Sequence, residues 1–234
     1  MYLSKFLSTN GACSRRKAAD AIKNGIVTVN NEIVKEPFYM VKKDDKVCFD
    51  GKIIKQAQSN FIYILLNKPE DCISTLSDEL GRRCLADIVK VKAGLRIFPV
   101  GRLDRNTTGI ILLTNDGDLT NKLMHPSHEV TKKYNVELDR PLLIEDYKRL
   151  AEGVHLDDGF IKPDSIFYDH GKVGKKAIVE LHSGRNRIVR RMFEHLGYRI
   201  EYLDRFYLGG LTKRGLKIGE WRNLTNKEVE LLKK

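Results

Sequence analysis

The chain of 234 residues is 41% hydrophobic and 31% charged, and its 42 Lys and Arg outnumber 31 Asp and Glu to give a formal net charge of +11 at pH 7. This composition supports a packed core, in one large domain or two of unequal size, so that disorder is not the default. The longest unbroken apolar run, at 61–66, is six residues, far below the roughly 20 that a membrane helix needs, so no helical span is expected.

No apolar stretch with a small-residue cleavage site follows the first residues, where Lys5 already stands, and the expectation is a cytoplasmic protein. Leu3, Phe6 and Leu7 recur at helical spacing and Asn10-Gly11 breaks the chain. Ser14 then stands as the N-cap of a second helix running to Asn24-Gly25. On that helix Ala18, Ala19 and Ile22 can pack inward, while Arg15, Arg16, Lys17 and Lys23 lie near a face suited to phosphates. Residues 26–29 are β-prone, Asn30-Asn31 is turn-like, and Val47-Cys48-Phe49 before Asp50-Gly51 reads as a further strand and turn. The pattern predicts a small helix-helix-sheet module over 1–55, an uncharged linker over 56–60 and a larger domain over 61–234.

In the larger segment, β-prone runs at 61–67, 110–114, 134–138 and 177–182 mix with helical stretches at 118–124 and 142–152. There is no strict β-α-β alternation, no G-x-G-x-x-G and no P-loop, so the expected fold class is α+β, built on a sheet. Before the strand at 110–113 lies Gly101-Arg102-Leu103-Asp104-Arg105-Asn106-Thr107-Thr108-Gly109, a polar loop with one carboxylate. Arginines on both sides favour the ionised form of Asp104, which can act as nucleophile or base. The competing interpretation is a turn-forming Asp with local hydrogen bonds. A second constellation is Gly184-Arg185-Asn186-Arg187-Ile188-Val189-Arg190-Arg191-Met192-Phe193. At about 100° per residue, Ile188, Val189, Met192, Phe193 and Leu196 share an apolar arc, opposite Arg187, Arg191 and Glu194. Arg190 falls on the border, where its stem can be covered while its guanidinium reaches a carboxylate.

Charge is unevenly spread. Residues 1–60 carry 11 basic and 6 acidic side chains, 61–180 carry 18 and 19, and 181–234 carry 13 and 6. Two basic segments around a neutral middle point to a polyanion gripped by two surfaces, with nucleic acid the leading partner; the alternative is ordinary solvated decoration. Cys13, Cys48, Cys72 and Cys84 form no C-x-x-C pair and have no histidine at ligand spacing, so no zinc site is expected and the thiols read as small hydrophobes.

Leu3-Ser4-Lys5-Phe6-Leu7, Ser14-Arg15-Arg16-Lys17-Ala18 and Gly25-Ile26-Val27-Thr28-Val29-Asn30 together resemble the S4 RNA-binding domain. Over nearly the whole chain, that module followed by Gly101-Arg102-Leu103-Asp104 with Thr107 and Gly109, Leu112-Leu113-Thr114-Asn115-Asp116-Gly117, Lys133-Tyr134 and the arginine constellation resembles the RsuA/RluB-type pseudouridine synthases. The resemblance implies a mixed-sheet catalytic domain that isomerises a uridine within ribosomal RNA, without metal or cofactor. It implies Asp104 as the catalytic carboxylate, Arg190 as its buried partner and Tyr134 as the aromatic wall and proton-transfer group. Loss of one member of such a buried pair costs about 3–5 kcal/mol. The target base must be flipped or already unpaired, with Arg102 holding the nucleotide and Arg185, Arg187 and Arg191 extending the positive surface.

Three positions depart from the family's commoner pattern: Asp71 stands for a glycine, a turn it can tolerate, and Ser183 and Ile188 replace residues that are often acidic or polar. The run Asn121-Lys122-Leu123-Met124-His125-Pro126-Ser127 resembles members acting on large-subunit rRNA. The expectation is therefore a monomeric 23S rRNA enzyme, working on RNA alone or in a pre-ribosomal particle. The alternatives are a 16S rRNA enzyme, a non-catalytic assembly factor that binds RNA, and a hydrolase that releases the base.

Overall fold

A computed structural model describes residues 1–54, 61–90 and 96–234. The predicted linker at 56–60 lies outside the described residues. Backbone contacts divide the chain into two compact units, Met1–Phe61 with Val91–Ile97, and Ile62–Lys90 with Phe98–Lys234.

The first unit follows its sequence closely. Helix α1 (Leu3–Thr9) precedes α2 (Arg15–Lys23), whose N-cap Ser14 accepts the Lys17 N–H. Strands β1 (Val27–Val29), β2 (Glu32–Ile33), β3 (Val47–Phe49) and β4 (Lys52–Ile53) form a sheet in the order β2-β1-β3-β4. Leu3, Phe6, Leu7, Ala18, Ile22, Val27, Val29 and Val47 make its core. Ala21, rather than the expected Ala19, completes the buried face of α2, which leaves Arg15, Arg16, Lys17 and Lys23 exposed.

The second unit is built on nine strands. Its elements are β5 (Tyr63–Lys68), α3 (Leu85–Ile88), β6 (Phe98–Val100), β7 (Thr108–Thr114), α4 (Gly117–Met124), β8 (Lys132–Leu138), α5 (Ile144–Glu152), β9 (Val154–Leu156), β10 (Gly159–Ile161), β11 (Ser165–Tyr168), β12 (Lys176–Leu181), α6 (Ile188–His195), β13 (Ile200–Leu208), β14 (Leu211–Thr212), β15 (Trp221–Asn223) and α7 (Asn226–Lys233). The nine-stranded sheet runs β11-β12-β8-β13-β7-β5-β15, with β14 on β13 and β6 on β7, while β9 and β10 form a separate hairpin. It is mixed, because β13 and β7 pair in parallel and the other pairs are antiparallel. Every residue of β7 is buried, as an unbroken apolar run covered on both faces should be. Helix α5 begins two residues later than the pattern predicts, since the Leu142 and Leu143 N–H groups bond the Gly174 carbonyl and the Tyr198 hydroxyl instead. Leu65, Ile110, Leu112, Leu119, Leu123, Leu208 and Leu232 pack α4 and α7 against the sheet.

The register of β7 opens the site. Its first residues, Thr108 and Gly109, pair with Asp204 and Arg205 of β13, whereas Leu112–Thr114 pair on that side with β6. Gly109 sits at φ +111, and a Cβ there would lie 2.3 Å from the Arg205 carbonyl oxygen. Only glycine permits this approach. The chain between β6 and β7, residues 101–107, therefore crosses the place where β13 and β6 part.

Candidate active site

Residues 101–107 are held from four directions. Gly101 turns at φ +75 beside Met124. The Ser74 hydroxyl donates to the Leu103 carbonyl (2.7 Å) and accepts the Leu103 N–H (3.0 Å), fixing the residue before Asp104. The Asp104 carbonyl accepts the Thr107 N–H at 3.1 Å. Below them lies a lysine that the motifs did not single out. Lys68, at the end of β5, is 0% exposed, and its ammonium donates to the carbonyls of Pro69 (2.9 Å), Cys72 (2.7 Å) and Arg105 (3.2 Å). Burial pushes its pKa down to about 8, against the pull of nearby groups including the Asp104 carboxylate. Asp71 takes the left-handed conformation expected of a glycine substitute, at φ 52, and its carboxylate also receives Arg105 at 2.5 Å.

The fourth support comes from α6, which buries Ile188, Val189, Met192 and Phe193 as the apolar arc predicts. Arg190, 12% exposed, donates to the carbonyls of Asn106 (2.9 Å) and Ile200 (3.2 Å) and to the Thr107 hydroxyl (3.4 Å), and its Nε lies 4.0 Å from an Asp104 carboxylate oxygen. Burial lowers the Arg190 pKa from its ordinary value, and Asp104 opposes the shift. The expectation of a buried pair needs correction: the Asp104 side chain is 38% exposed. The cost of breaking a fully desolvated pair does not apply, and the firm contacts of Arg190 are with the backbone that carries Asp104.

These residues meet in one cleft with an empty volume of about 730 Å³, open solvent included, lined by Arg102, Asp104, Tyr134, Arg185, Arg187 and Arg190 together with Ser183 and Ile188. Tyr134, 9% exposed, is the register partner of Arg205 across β8 and β13. Sequence reasoning had not singled out Lys132 or Arg205, which also line the cleft. The Lys132 ammonium donates to the Val130 (2.9 Å) and His182 (2.7 Å) carbonyls, and burial reinforced by Arg205 lowers its pKa to about 8. Behind them Asp204, fully buried, accepts from Lys213 (2.5 Å), Thr108 (2.9 Å) and Asn135 (3.4 Å), locking β13 to β7 and β8.

Of the residues expected to bind RNA, Arg102 is exposed at the cleft mouth and also lines an adjoining recess with Ser74, Asp78 and Arg82. Arg185 donates to the Phe160 carbonyl (3.1 Å), and Arg187, in a left-handed conformation before α6, pairs with Glu194 at 3.1 Å. Arg191 lies outside the cleft lining and is gripped by the Asp157 and Asp158 carboxylates in the β9–β10 turn, against the expectation of a free cation. The arrangement offers a water-accessible carboxylate, an aromatic side chain, buried donors and a cationic rim, a set suited to a flat uncharged heterocycle carried on a phosphodiester strand. Among the described residues, no group of three or more His, Cys, Asp or Glu could hold a metal ion, and no helix is long and apolar enough to cross a membrane.

Comparison with known proteins gives the same picture. Residues 62–195 match the RNA pseudouridylate synthase family and residues 3–47 the S4 domain. The chain is 38% identical over 234 residues to the ribosomal large subunit pseudouridine synthase B of Bacillus subtilis (strain 168), covering 99% of this chain and 95% of that protein. It is 35% identical over 228 residues to the dual-specificity RNA pseudouridine synthase RluF of Escherichia coli O6:H1, covering 97% and 76%. A crystal structure of a pseudouridylate synthase superposes with a TM-score of 0.71 at 29% identity, covering 99% of each chain. With both of its domains matched, and in that order, the chain belongs to the RNA pseudouridylate synthase family.

Proposed function

We propose that the protein converts one uridine of large-subunit ribosomal RNA to pseudouridine, with Asp104 as the catalytic carboxylate and no cofactor. The observation that carries this reading is the convergence of Asp104, Tyr134 and Arg190 on one cleft from three distant parts of the chain. Asp104 acts on the nucleoside as nucleophile or as proton acceptor at the sugar. Arg190 keeps its loop in place and its charge near the carboxylate. Tyr134 lies against the uracil and serves proton transfer. The target base is presented unstacked. Arg102, Arg185 and Arg187 hold the flanking strand. The module of residues 1–55 contributes Arg15, Arg16, Lys17 and Lys23 to phosphates, and the domain of 61–234 carries the chemistry. The large-subunit assignment is supported by the relative from Bacillus subtilis. The working form is a cytoplasmic monomer acting on rRNA, free or in a pre-ribosomal particle.

A pseudouridine map of ribosomal RNA from cells lacking the gene tests this reading. The expected result is loss of one large-subunit site, regained when the gene is restored. Loss of a small-subunit site instead would reassign the target, and an unchanged map would overturn the reading. Free uracil released from RNA by the purified protein would replace isomerisation with hydrolysis.

A further inference from the structure

Arg205 is the unexplained group of the cleft. The residue is 3% exposed, its Nε donates to the Ile110 carbonyl at 2.9 Å, and its Nη2 is buried without a hydrogen-bond partner. It forms no ion pair among the described residues. A buried guanidinium with an unused donor is rare, because proteins satisfy nearly all such groups. The residue lines the cleft beside Tyr134, its register partner, and near Lys132, whose ammonium is already held by two carbonyls. The rim arginines can reach phosphates, whereas Arg205 lies too deep and too enclosed for a backbone phosphate. A guanidinium only donates, so its complement at that depth is an acceptor on the edge of a flat base.

We propose that Arg205 donates, through the part of its guanidinium that lines the cleft, to a carbonyl oxygen of the flipped uracil, a contact that strengthens as the base leaves the sugar; this rests on the uridine reading given above. When N1–C1′ breaks, its electron pair stays on the uracil and spreads over N1, O2 and O4. Reattachment forms C5–C1′, and the proton lost from C5 is balanced by one gained at N1. A fixed cationic donor at a carbonyl favours that anionic stage more than the neutral base. The contact also helps reject cytosine when the acceptor is O4, since the 4-amino group would meet a second donor.

The test measures single-turnover conversion on unmodified large-subunit rRNA transcripts carrying uridine, 2-thiouridine or 4-thiouridine, with products identified by nucleoside chromatography. Wild type is compared with Arg205→Gln, whose amide can keep the Ile110 bond, and Arg205→Lys, which keeps the charge. The expected results are a loss of at least 100-fold in rate for Arg205→Gln, with RNA affinity within threefold of wild type and partial recovery in Arg205→Lys. Wild type slows at least tenfold with sulfur at one of the two positions, and Arg205→Gln slows no further. A rate within threefold of wild type in Arg205→Gln overturns the assignment. So does a wild-type rate indifferent to sulfur at both positions, a result that needs no variant to fold. Wild type with no activity on uridine transcripts would remove the uridine reading itself, whereas active wild type with a neutral Arg205 removes only this contact.

Discussion

The two arginine-rich helices, α2 and α6, look alike in composition and are used in opposite ways. On α2, Arg15, Arg16, Lys17 and Lys23 are exposed and make no side-chain ion pair among the described residues. Around α6, Arg187 pairs with Glu194, Arg190 binds the backbone carrying Asp104, and Arg191 is gripped by Asp157 and Asp158. Of the basic residues at 181–234, Arg185, Arg187, Arg190 and Arg205 thus go into lining the cleft, while the cations of α2 remain available to a polyanion. Net charge therefore measures neither RNA affinity nor catalytic content until each cation's partner is known.

The sharpest way to break this contrast is Arg190→Met. It should lower the single-turnover rate about 100-fold, since displacement of a reacting group by even 1 Å is severe, yet leave the salt dependence of RNA binding unchanged. A shallower salt slope would move Arg190 to the phosphate-binding class. Next comes Lys68, another cation committed to the interior. Lys68→Met strands three carbonyls and should destabilise the protein by about 3 kcal/mol in urea unfolding. Its folded pKa of about 8 lies below that of an unfolded lysine, so the unfolded chain holds the proton more tightly at higher pH. Wild-type stability should then rise between pH 7 and 10 by about 2 kcal/mol more than that of Lys68→Met; equal pH profiles would show that Lys68 carries no such penalty.

Smaller effects belong to the exposed cations. Replacing Arg15, Arg16 and Lys17 together by Gln should weaken RNA binding about tenfold and flatten the salt slope by nearly one unit for each phosphate no longer neutralised. Stability should stay within about 0.5 kcal/mol, as expected for surface changes. Unchanged affinity would deny α2 its role. Smallest of all, Asp157→Asn with Asp158→Asn frees Arg191, and RNA affinity should rise two- to threefold with little change in stability, as for exposed ion pairs; reduced affinity would mean that the aspartates aim Arg191 rather than neutralise it.

What the sequence disclosed follows the range of each signal. The Ser14 cap, the apolar arc of α6, the border position of Arg190 and the glycine-bounded loop around Asp104 are local patterns, and all were legible. Arg205 and Lys132 were not, because their place in the cleft depends on which strands β13 and β8 lie beside, and pairing across nearly a hundred residues leaves no local trace. Gly109 was the available hint, since a glycine heading an apolar strand marks a close backbone approach. Lys68 at the end of a buried run before Pro69 was another: a lysine so placed must either reach solvent or find carbonyls. Periodicity set Arg191 on a polar face correctly, but it could not tell a solvated arginine from one already paired.

In the proposed reaction Asp104 does the chemistry that the RNA-binding surfaces only make possible. That role is tested most directly by carbodiimide-stop primer extension on large-subunit rRNA incubated with wild type or with Asp104→Ala, alongside filter binding of the same transcript. Asp104→Ala should keep RNA affinity within threefold of wild type and give no pseudouridine stop. A stop appearing at the wild-type rate would contradict that role.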